Sequence, residues 1–240
     1  MKAMIFAAGK GTRLKPLTDN TPKALVKVNG TPMLEIIIKK LIKTGVNEII
    51  INVHYLANQI IEFLKSKNNF GIRIEISYEQ EQLLDTGGGL KKAAWFFDNN
   101  EAFILHNVDV ISNIDLTEIL EYHKNSNFLA TLAVRKRESS RYFLFNKTNE
   151  LCGWQNIKTS EKILSKTDEN LNQFAFSGIH IIDSRIFSFL KNEGAFSIVP
   201  SYIELSKNNK IIAYQHDKDF WFDIGDKKKL EIAEKFLKEN

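Results

Sequence analysis

Cysteine is almost missing from this chain: Cys152 stands alone among 240 residues. A single thiol closes no disulfide within the chain and supports no cysteine-based metal cluster. Long apolar runs are missing too. The amino-terminal run Ala3–Ala8 is too short for a signal-peptide core or a membrane span. No block of five like charges occurs, basic runs do not exceed three residues, and the run Lys227–Lys229 reads as a solvated helix start. Lys and Arg number 33 against 29 Asp and Glu, a net charge of +4 that is too small to point to nucleic acid. The histidines (His54, His106, His123, His180 and His216) lack metal-ligand spacing and read as surface or satisfied core residues. Neither a Ser-His-Asp nor a Cys-His arrangement is evident, and no repeat or low-complexity linker interrupts the chain. These absences predict a cytoplasmic protein without membrane or nucleic-acid partners, either a monomer or a small homo-oligomer.

What is present is an ordinary globular composition, 43% apolar and 26% charged, in a chain long enough for a sizeable core. Ala3–Ala7 reads as a short buried strand. Thr31 and Pro32 predict a helix start, with Thr31 as N-cap and Pro32 at the first helical position. Leu34, Ile37, Ile38 and Leu41 then share one helix face, and Gly45 is placed to end that helix. Glu48–Val53 is a continuous β-branched run, as in a strand covered on both faces. Ala57, Ile60, Ile61 and Leu64 return to helical spacing; Ile72, Ile74, Ile76 and Tyr78 alternate as a strand. Ala102–Val110 supplies a fourth strand. Asp115 and Glu118 predict a capping box, with Leu116, Ile119 and Leu120 on the buried side.

Strands alternating with helices predict βαβ units and right-handed crossovers. The expected fold is α/β, a Rossmann-like mixed and mostly parallel sheet flanked by helices. Ligands of such sheets bind beyond the carboxyl ends of the strands, which selects Ala8–Lys23, Glu79–Gly89 and Asn107–Asp109. Further on, "FLATLAV", "YFLFN" and "FAFSGIHII" read as strands, with a polar, lysine-rich, flap-like excursion at Asn156–Asn172. Ser197–Leu205 and Asp226–Leu237 read as helices with a short strand at "FWFDIG" between them. The chain reads as one domain, residues 1–110 forming one half and 111–240 the other.

The first strand opens into "AAGKGTR". A Rossmann fingerprint would need a glycine where Leu14 stands, and a Walker loop would need Ser or Thr where Gly11 stands. Both patterns fail, yet the physics of anion binding remains. Gly9 and Gly11 permit positive φ and close backbone approach. Arg13 adds a planar fork and Lys23 a compact positive charge. An ordinary βα turn with surface cations accounts for the loop equally well when it is read alone.

The longer stretch "AAGKGTRLKPLTDNTPKAL" resembles the signature of the sugar-1-phosphate nucleotidyltransferases, G-x-G-T-R-(x)4-T-(x)3-P-K. It matches at Gly9, Gly11, Thr12, Arg13, Thr18, Pro22 and Lys23. "LLDTGGGL" is similar to the family's second loop at Thr86, Gly87 and Gly88. "NVDV" stands where the family carries a metal-binding Asp at a strand end, and "WFDIGD" resembles its late Trp-x-Asp-x-Gly motif. The chain looks most like the short N-acetylmuramate-1-phosphate uridylyltransferases and mannose-1-phosphate guanylyltransferases, and the "TGGG" loop leans toward the first.

The resemblance implies attack of a sugar 1-phosphate on the α-phosphorus of a nucleoside triphosphate, with pyrophosphate leaving. The nucleophile is already an anion, so no strong general base is needed; the work is positioning and charge neutralisation. It also implies the roles. Arg13, with the backbone of Gly9, Gly11 and Thr12, would hold the β- and γ-phosphates, and Lys23 the α-phosphate. Asp109 and Asp223 would bind Mg²⁺, a hard cation that prefers oxygen ligands, so Arg13, Lys23 and Asp109 form the expected catalytic set. Ala7, Ala8 and Gly9 would lie against the base, with Gly88 opposite. Thr86, Gly87, Gln80 and Asn107 complete the expected nucleotide contacts. Asp85, Ser177 and Gly178 are expected at the sugar. UTP with an N-acetylmuramate or hexose 1-phosphate is the leading substrate pair. Guanylyl transfer to mannose 1-phosphate, cytidylyl transfer to a non-sugar phosphate such as phosphocholine, and a non-catalytic nucleotide-binding module are the alternatives. Val108 departs from the glycine usual before the metal-binding Asp, and requires ordinary backbone angles there.

Overall fold

The structure, a computed structural model, describes residues 1–98, 101–124 and 127–239. β1 (Lys2–Phe6) lies where the opening apolar run predicts it and is buried over four of its five residues. β2 (Lys27–Val28) and β3 (Thr31–Pro32) then form a small antiparallel hairpin. Its turn is Asn29-Gly30, with φ of 48° and 84°, the left-handed pair that Asn-Gly turns favour. This corrects the expected helix start: Thr31 is a strand residue, and α1 (Met33–Lys43) follows Pro32 without a side-chain cap. The helix buries Leu34, Ile37, Ile38 and Leu41, the face its spacing predicts. Gly45, at φ 89°, ends it, its N–H bonding Ile42 O at 2.9 Å. β4 (Glu48–Val53), α2 (Ala57–Ser66) and β5 (Arg73–Tyr78) follow, and β1, β4 and β5 pair in parallel.

The next segment differs from its expected loop. Asp85–Lys92 is a helix, α3, despite three consecutive glycines. β6 (Ala102–Asn107) and β7 (Val110–Ser112) are joined by the turn at Val108–Asp109. Val108 keeps a negative φ there, as its side chain requires, and is buried. α4 (Leu116–Lys124) starts at the predicted cap, where Asp115 Oδ1 accepts the N–H of Thr117 at 2.8 Å. β8 (Ala130–Arg135), β9 (Arg141–Phe145), β10 (Leu151–Asn156), β11 (Glu161–Leu164) and β12 (Asn172–Asp183) come next. The lysine-rich excursion is a β-hairpin: Asn156 pairs with Glu161, and all of β11 is exposed. After α5 (Ile186–Phe189), α6 (Ile198–Leu205) is capped by Ser197, whose Oγ accepts the Val199 N–H. β13 (Ile211–Gln215), β14 (Trp221–Asp223) and α7 (Lys227–Glu239) complete the chain.

Two compact units divide these elements. The first comprises Met1–Leu84, Leu105–Asn113 and Phe220–Asn240; the second comprises Asp85–Ile104 and Ile114–Asp219. In the first, strands run in the order β6-β1-β4-β5, and β7 pairs with β14 as an antiparallel ribbon. Val26, Val28, Met33, Ile111, Ile224, Leu230 and Ala233 form a small core that Phe220, Phe222 and Leu237 extend. Each fully buried aliphatic side chain contributes on the order of 2 kcal/mol, so this core returns the carboxyl-terminal segment to the β2–β3 hairpin. The Asn29 amide bonds confirm the docking: its N–H donates to Glu234 Oε1 and its Nδ2 to Glu234 O, both at 2.9 Å. The second unit is largely antiparallel, in the order β11-β10-β9-β12, with β8 between β12 and the parallel β13. The sheet architecture is thus mixed, with parallel pairing concentrated in the first unit.

Candidate active site

The first unit brings the expected phosphate and metal residues together. Beyond β1, Ala7 and Ala8 are buried, whereas Gly9, Lys10, Thr12 and Arg13 are exposed. Gly11 sits at φ 65°, a left-handed angle where a side chain is strained. A Cβ there would also stand 3.0 Å from both the Lys23 Cβ and the Thr18 methyl. The loop is held from beneath. Leu14, fully buried, donates its N–H to Gly11 O at 2.9 Å, and the buried Thr18 hydroxyl donates to the same oxygen at 2.8 Å. Among the described residues, the N–H groups of Gly9–Thr12 donate to no protein acceptor. Consecutive unused amides on a glycine turn form a concavity for an anion.

Lys23 projects from the short turn Lys23–Leu25 and pairs with Asp109 Oδ2, both side chains mostly buried. Asp109 lies in the β6–β7 turn, and its carbonyl accepts the Ile224 N–H at 2.8 Å. Asp223, one residue earlier on β14, is opposite Val110. The β7–β14 ribbon therefore sets Asp109 and Asp223 on neighbouring backbone positions, although they are far apart in sequence. Asp223 Oδ2 accepts from Lys229 Nζ at 2.9 Å. At Gly225 a Cβ would stand 2.9 Å from Arg13 Nη2 and 3.1 Å from Asp223 Oδ1. Those two atoms share one small space only because residue 225 has no side chain. Among the described residues, Arg13 itself has no ion pair.

Among the described residues no three His, Cys, Asp or Glu side chains cluster as a metal site. Asp109 and Asp223 offer hard oxygen donors that fit Mg²⁺, but as a pair they are incomplete. An octahedral ion here would need phosphate oxygens and water for its other positions.

Asn52 and Glu79 are functional candidates that sequence reasoning missed. Both are buried, at 3% and 1% exposure. Ala7 N–H donates to Asn52 Oδ1 at 2.8 Å, Asn52 Nδ2 donates to Glu79 Oε1 at 2.7 Å, and Leu84 N–H donates to Glu79 Oε2 at 2.8 Å. This chain locks the end of β1 to the segment that carries the exposed Gln80. A polar Asn inside the apolar run "EIIINV" was the available signal. Thr18 and Gly225 lay inside the recognised motifs, but their tasks needed coordinates. Asn107, half-buried at the end of β6, stands two residues before Asp109.

The second unit carries the remaining expected residues. Gly87 and Gly88 donate their N–H groups to Phe196 O at 2.8 and 3.2 Å, and Thr86 Oγ1 accepts the Ile198 N–H at 3.0 Å. A Cβ on Gly87 would stand 2.3 Å from the Phe196 ring. The "TGG" triplet therefore joins α3 to the start of α6. Asp85 is exposed at φ 57°, and its Oδ1 accepts the Thr86 N–H. Ser177 and Gly178 lie in a bulge of β12 where Gly178 takes φ 76°. Ser177 is fully buried, its Oγ 2.6 Å from His216 Nε2. Burial lowers the pKa of His106 to about 3, with Lys40 adding to the effect, and lowers that of His123 to about 4. Both are neutral core residues at neutral pH.

Comparison with known proteins gives a consistent picture. The nucleotidyl transferase family matches residues 2–240. An N-acetylmuramate alpha-1-phosphate uridylyltransferase of Caulobacter vibrioides is 30% identical over 247 residues, covering 99% of this chain and 97% of that protein. A mannose-1-phosphate guanyltransferase of Yarrowia lipolytica is 29% identical over 231 residues, covering 95% of this chain. The chain spans about 60% of the length of several such curated relatives. A solved Bacillus anthracis structure, a candidate glucose-1-phosphate thymidylyltransferase, superposes with a TM-score of 0.81 at 21% identity, covering 100% of this chain and 96% of that one. At that identity it shows the shared fold. Among the described residues no helix is long and apolar enough to cross a membrane.

Proposed function

Since the chain belongs to the nucleotidyl transferase family, we propose that it transfers a nucleoside monophosphate from a nucleoside triphosphate to a sugar 1-phosphate and releases pyrophosphate. The observation that carries this reading is the cluster of Arg13, Lys23, Asp109 and Asp223 beside a loop with unused amides. Such a cluster suits a polyanion whose charge shifts during reaction. The amides of Gly9–Thr12 and the Arg13 guanidinium hold the β- and γ-phosphates, the part that leaves. Lys23 holds the α-phosphate, where crowding and charge peak. Asp109 and Asp223 hold Mg²⁺, which when bound neutralises and orients phosphate oxygens.

Ala7, Ala8 and Gly9 form the wall against the base, with Gln80 and Asn107 at its edge. Asn52 and Glu79 fix that wall from within. In the second unit, Thr86, Gly87 and Gly88 support the nucleotide contacts through α3, while Asp85, Ser177 and Gly178 serve the acceptor. Because Ser177 is buried and its Oγ is paired with His216 Nε2, its service is indirect. UTP with an N-acetylmuramate or hexose 1-phosphate is the preferred pair, since two relatives matched over nearly their whole length are N-acetylmuramate alpha-1-phosphate uridylyltransferases. The protein acts in the cytoplasm as a monomer or small homo-oligomer. Replacing Asp109 with Asn tests the assignment: turnover should fall by at least a hundredfold while the thermal melt stays within a few degrees. Normal turnover by that variant would remove the metal role from Asp109.

A further inference from the structure

Asp223 already holds a cation of the protein's own. Lys229, in the first turn of α7, places Nζ 2.9 Å from Asp223 Oδ2, while its N–H donates to Asp226 Oδ1 at 3.0 Å. The N-cap bond from Asp226 fixes the backbone of Lys229, and packing of Leu230 and Ala233 fixes the helix. The ammonium therefore returns to Asp223 through a short, constrained stem. Lys229 is 44% exposed, so the pair is no requirement of the core. Lys23 makes the equivalent contact with Asp109. Lys23 belongs to the motif read from the sequence, whereas Lys229 belonged only to a basic run given no role.

The charges set the direction of the effect. Arg13, Lys23 and Lys229 stand against Asp109 and Asp223, with the Asp226 carboxylate on the Lys229 N–H, three cations beside three carboxylates. At Asp223 itself a bare divalent ion would have to displace the Lys229 ammonium, with the Arg13 guanidinium alongside. A divalent ion arriving with a triphosphate would bring about four negative charges with it, and these offset the repulsion from both cations. We propose that Lys229 is a built-in competitor for divalent metal at Asp223: it occupies the carboxylate in the metal-free protein, suppresses binding of the bare ion, and yields when metal arrives with triphosphate. The inference rests on Asp223 being a metal ligand, as proposed above.

The test is binding without turnover. Electron paramagnetic resonance counts free Mn²⁺ directly, so titrations up to several millimolar Mn²⁺ give a dissociation constant in the absence of nucleotide. Lys229→Met keeps the apolar stem and removes the charge; Lys229→Gln serves as a second, more polar replacement. Partly exposed ion pairs are weak, so removing this one should tighten Mn²⁺ binding about two- to fivefold. Loss of a neighbouring positive charge acts in the same direction. In an Asp223→Asn background the same substitutions should have no effect. If Asp223→Asn weakens Mn²⁺ binding but both Lys229 variants bind like the parent, the competitor role is overturned and the metal assignment stands. If Asp223→Asn leaves Mn²⁺ binding unchanged, the metal assignment itself fails. Absence of measurable binding in the Lys229 variants across that range also overturns the competitor role.

Discussion

Gly225→Ala isolates the space shared by Arg13 and Asp223. The added Cβ would stand 2.9 Å from Arg13 Nη2, 3.3 Å from its Cζ and 3.1 Å from Asp223 Oδ1. Ordinary carbon contacts lie near 3.5 Å or beyond, so the guanidinium has to retreat by roughly half an ångström. It is the far end of a flexible side chain, and Gly225 is not at a positive φ. Stability should therefore change by no more than about 0.5 kcal/mol. Function should change more. A charge-assisted hydrogen bond is worth about 1.5–3 kcal/mol, and its loss or misalignment corresponds to about a ten- to hundredfold rise in the triphosphate KM. The turnover number at saturation should fall much less, because Arg13 is assigned to the departing phosphates rather than to the reacting phosphorus. Pyrophosphate release at saturating acceptor, paired with a thermal melt, reads both quantities. An unchanged KM with an unchanged melt would refute the placement of Arg13 on the triphosphate.

Three other outcomes follow from the same geometry. Arg13→Gln should raise the triphosphate KM more than it lowers kcat, while Lys23→Gln should do the reverse; steady-state kinetics showing equal patterns would undo their division of labour. Glu79→Gln leaves the Asn52 and Leu84 donors competing for a single acceptor oxygen, so it should cost about 1–3 kcal/mol of stability by urea unfolding and raise the triphosphate KM. A stability loss with an unchanged KM would make the network purely structural. For pH, the sign is fixed by His106 and His123, held neutral with pKa values of about 3 and 4 in the fold against 6.5 unfolded. Above pH 6.5 neither state binds these protons, and below it the unfolded chain binds protons that the fold refuses. Stability should therefore decline as pH falls from about 6 to 4, by up to about 1 kcal/mol per pH unit per histidine. Melting curves that stay level from pH 7.5 to 5 would contradict this.

The sequence made the first unit's framework readable because its elements obey simple periodicities. Glu48–Val53 is bounded correctly by its β-branched run, and the buried face and the end of α1 by its apolar spacing and Gly45. The errors have physical causes. Thr31-Pro32 carries helix-start chemistry, but Asn29-Gly30 two residues earlier is a strong hairpin turn, and that turn prevailed. "DTGGGL" is expected as a loop from its resemblance to the family's second loop, and glycine is a poor helix former. In the fold it is helical, and Gly87 is glycine because a Cβ would stand 2.3 Å from the Phe196 ring, a tertiary contact that propensity cannot show. Within the site, the motif identified Arg13, Lys23, Asp109 and Asp223. It could not show that Gly225 makes room for Arg13 or that Lys229 reaches Asp223, because both depend on the β7–β14 ribbon and the docking of α7, nor that Thr18 clamps Gly11 O, because that depends on how the loop folds back on itself. The buried pair Asn52 and Glu79 was hidden because it depends on the parallel pairing of β1, β4 and β5, which brings residues far apart in sequence together.

The central claim is nucleotidyl transfer to a phosphorylated acceptor. Its most direct measurement is pyrophosphate release, with Mg²⁺ present, from a matrix of nucleoside triphosphates against N-acetylmuramate, mannose, glucose and choline phosphates. Release is expected from one matched pair well above all others, with UTP and a sugar 1-phosphate leading. Tight triphosphate binding without pyrophosphate release from any pair would contradict it.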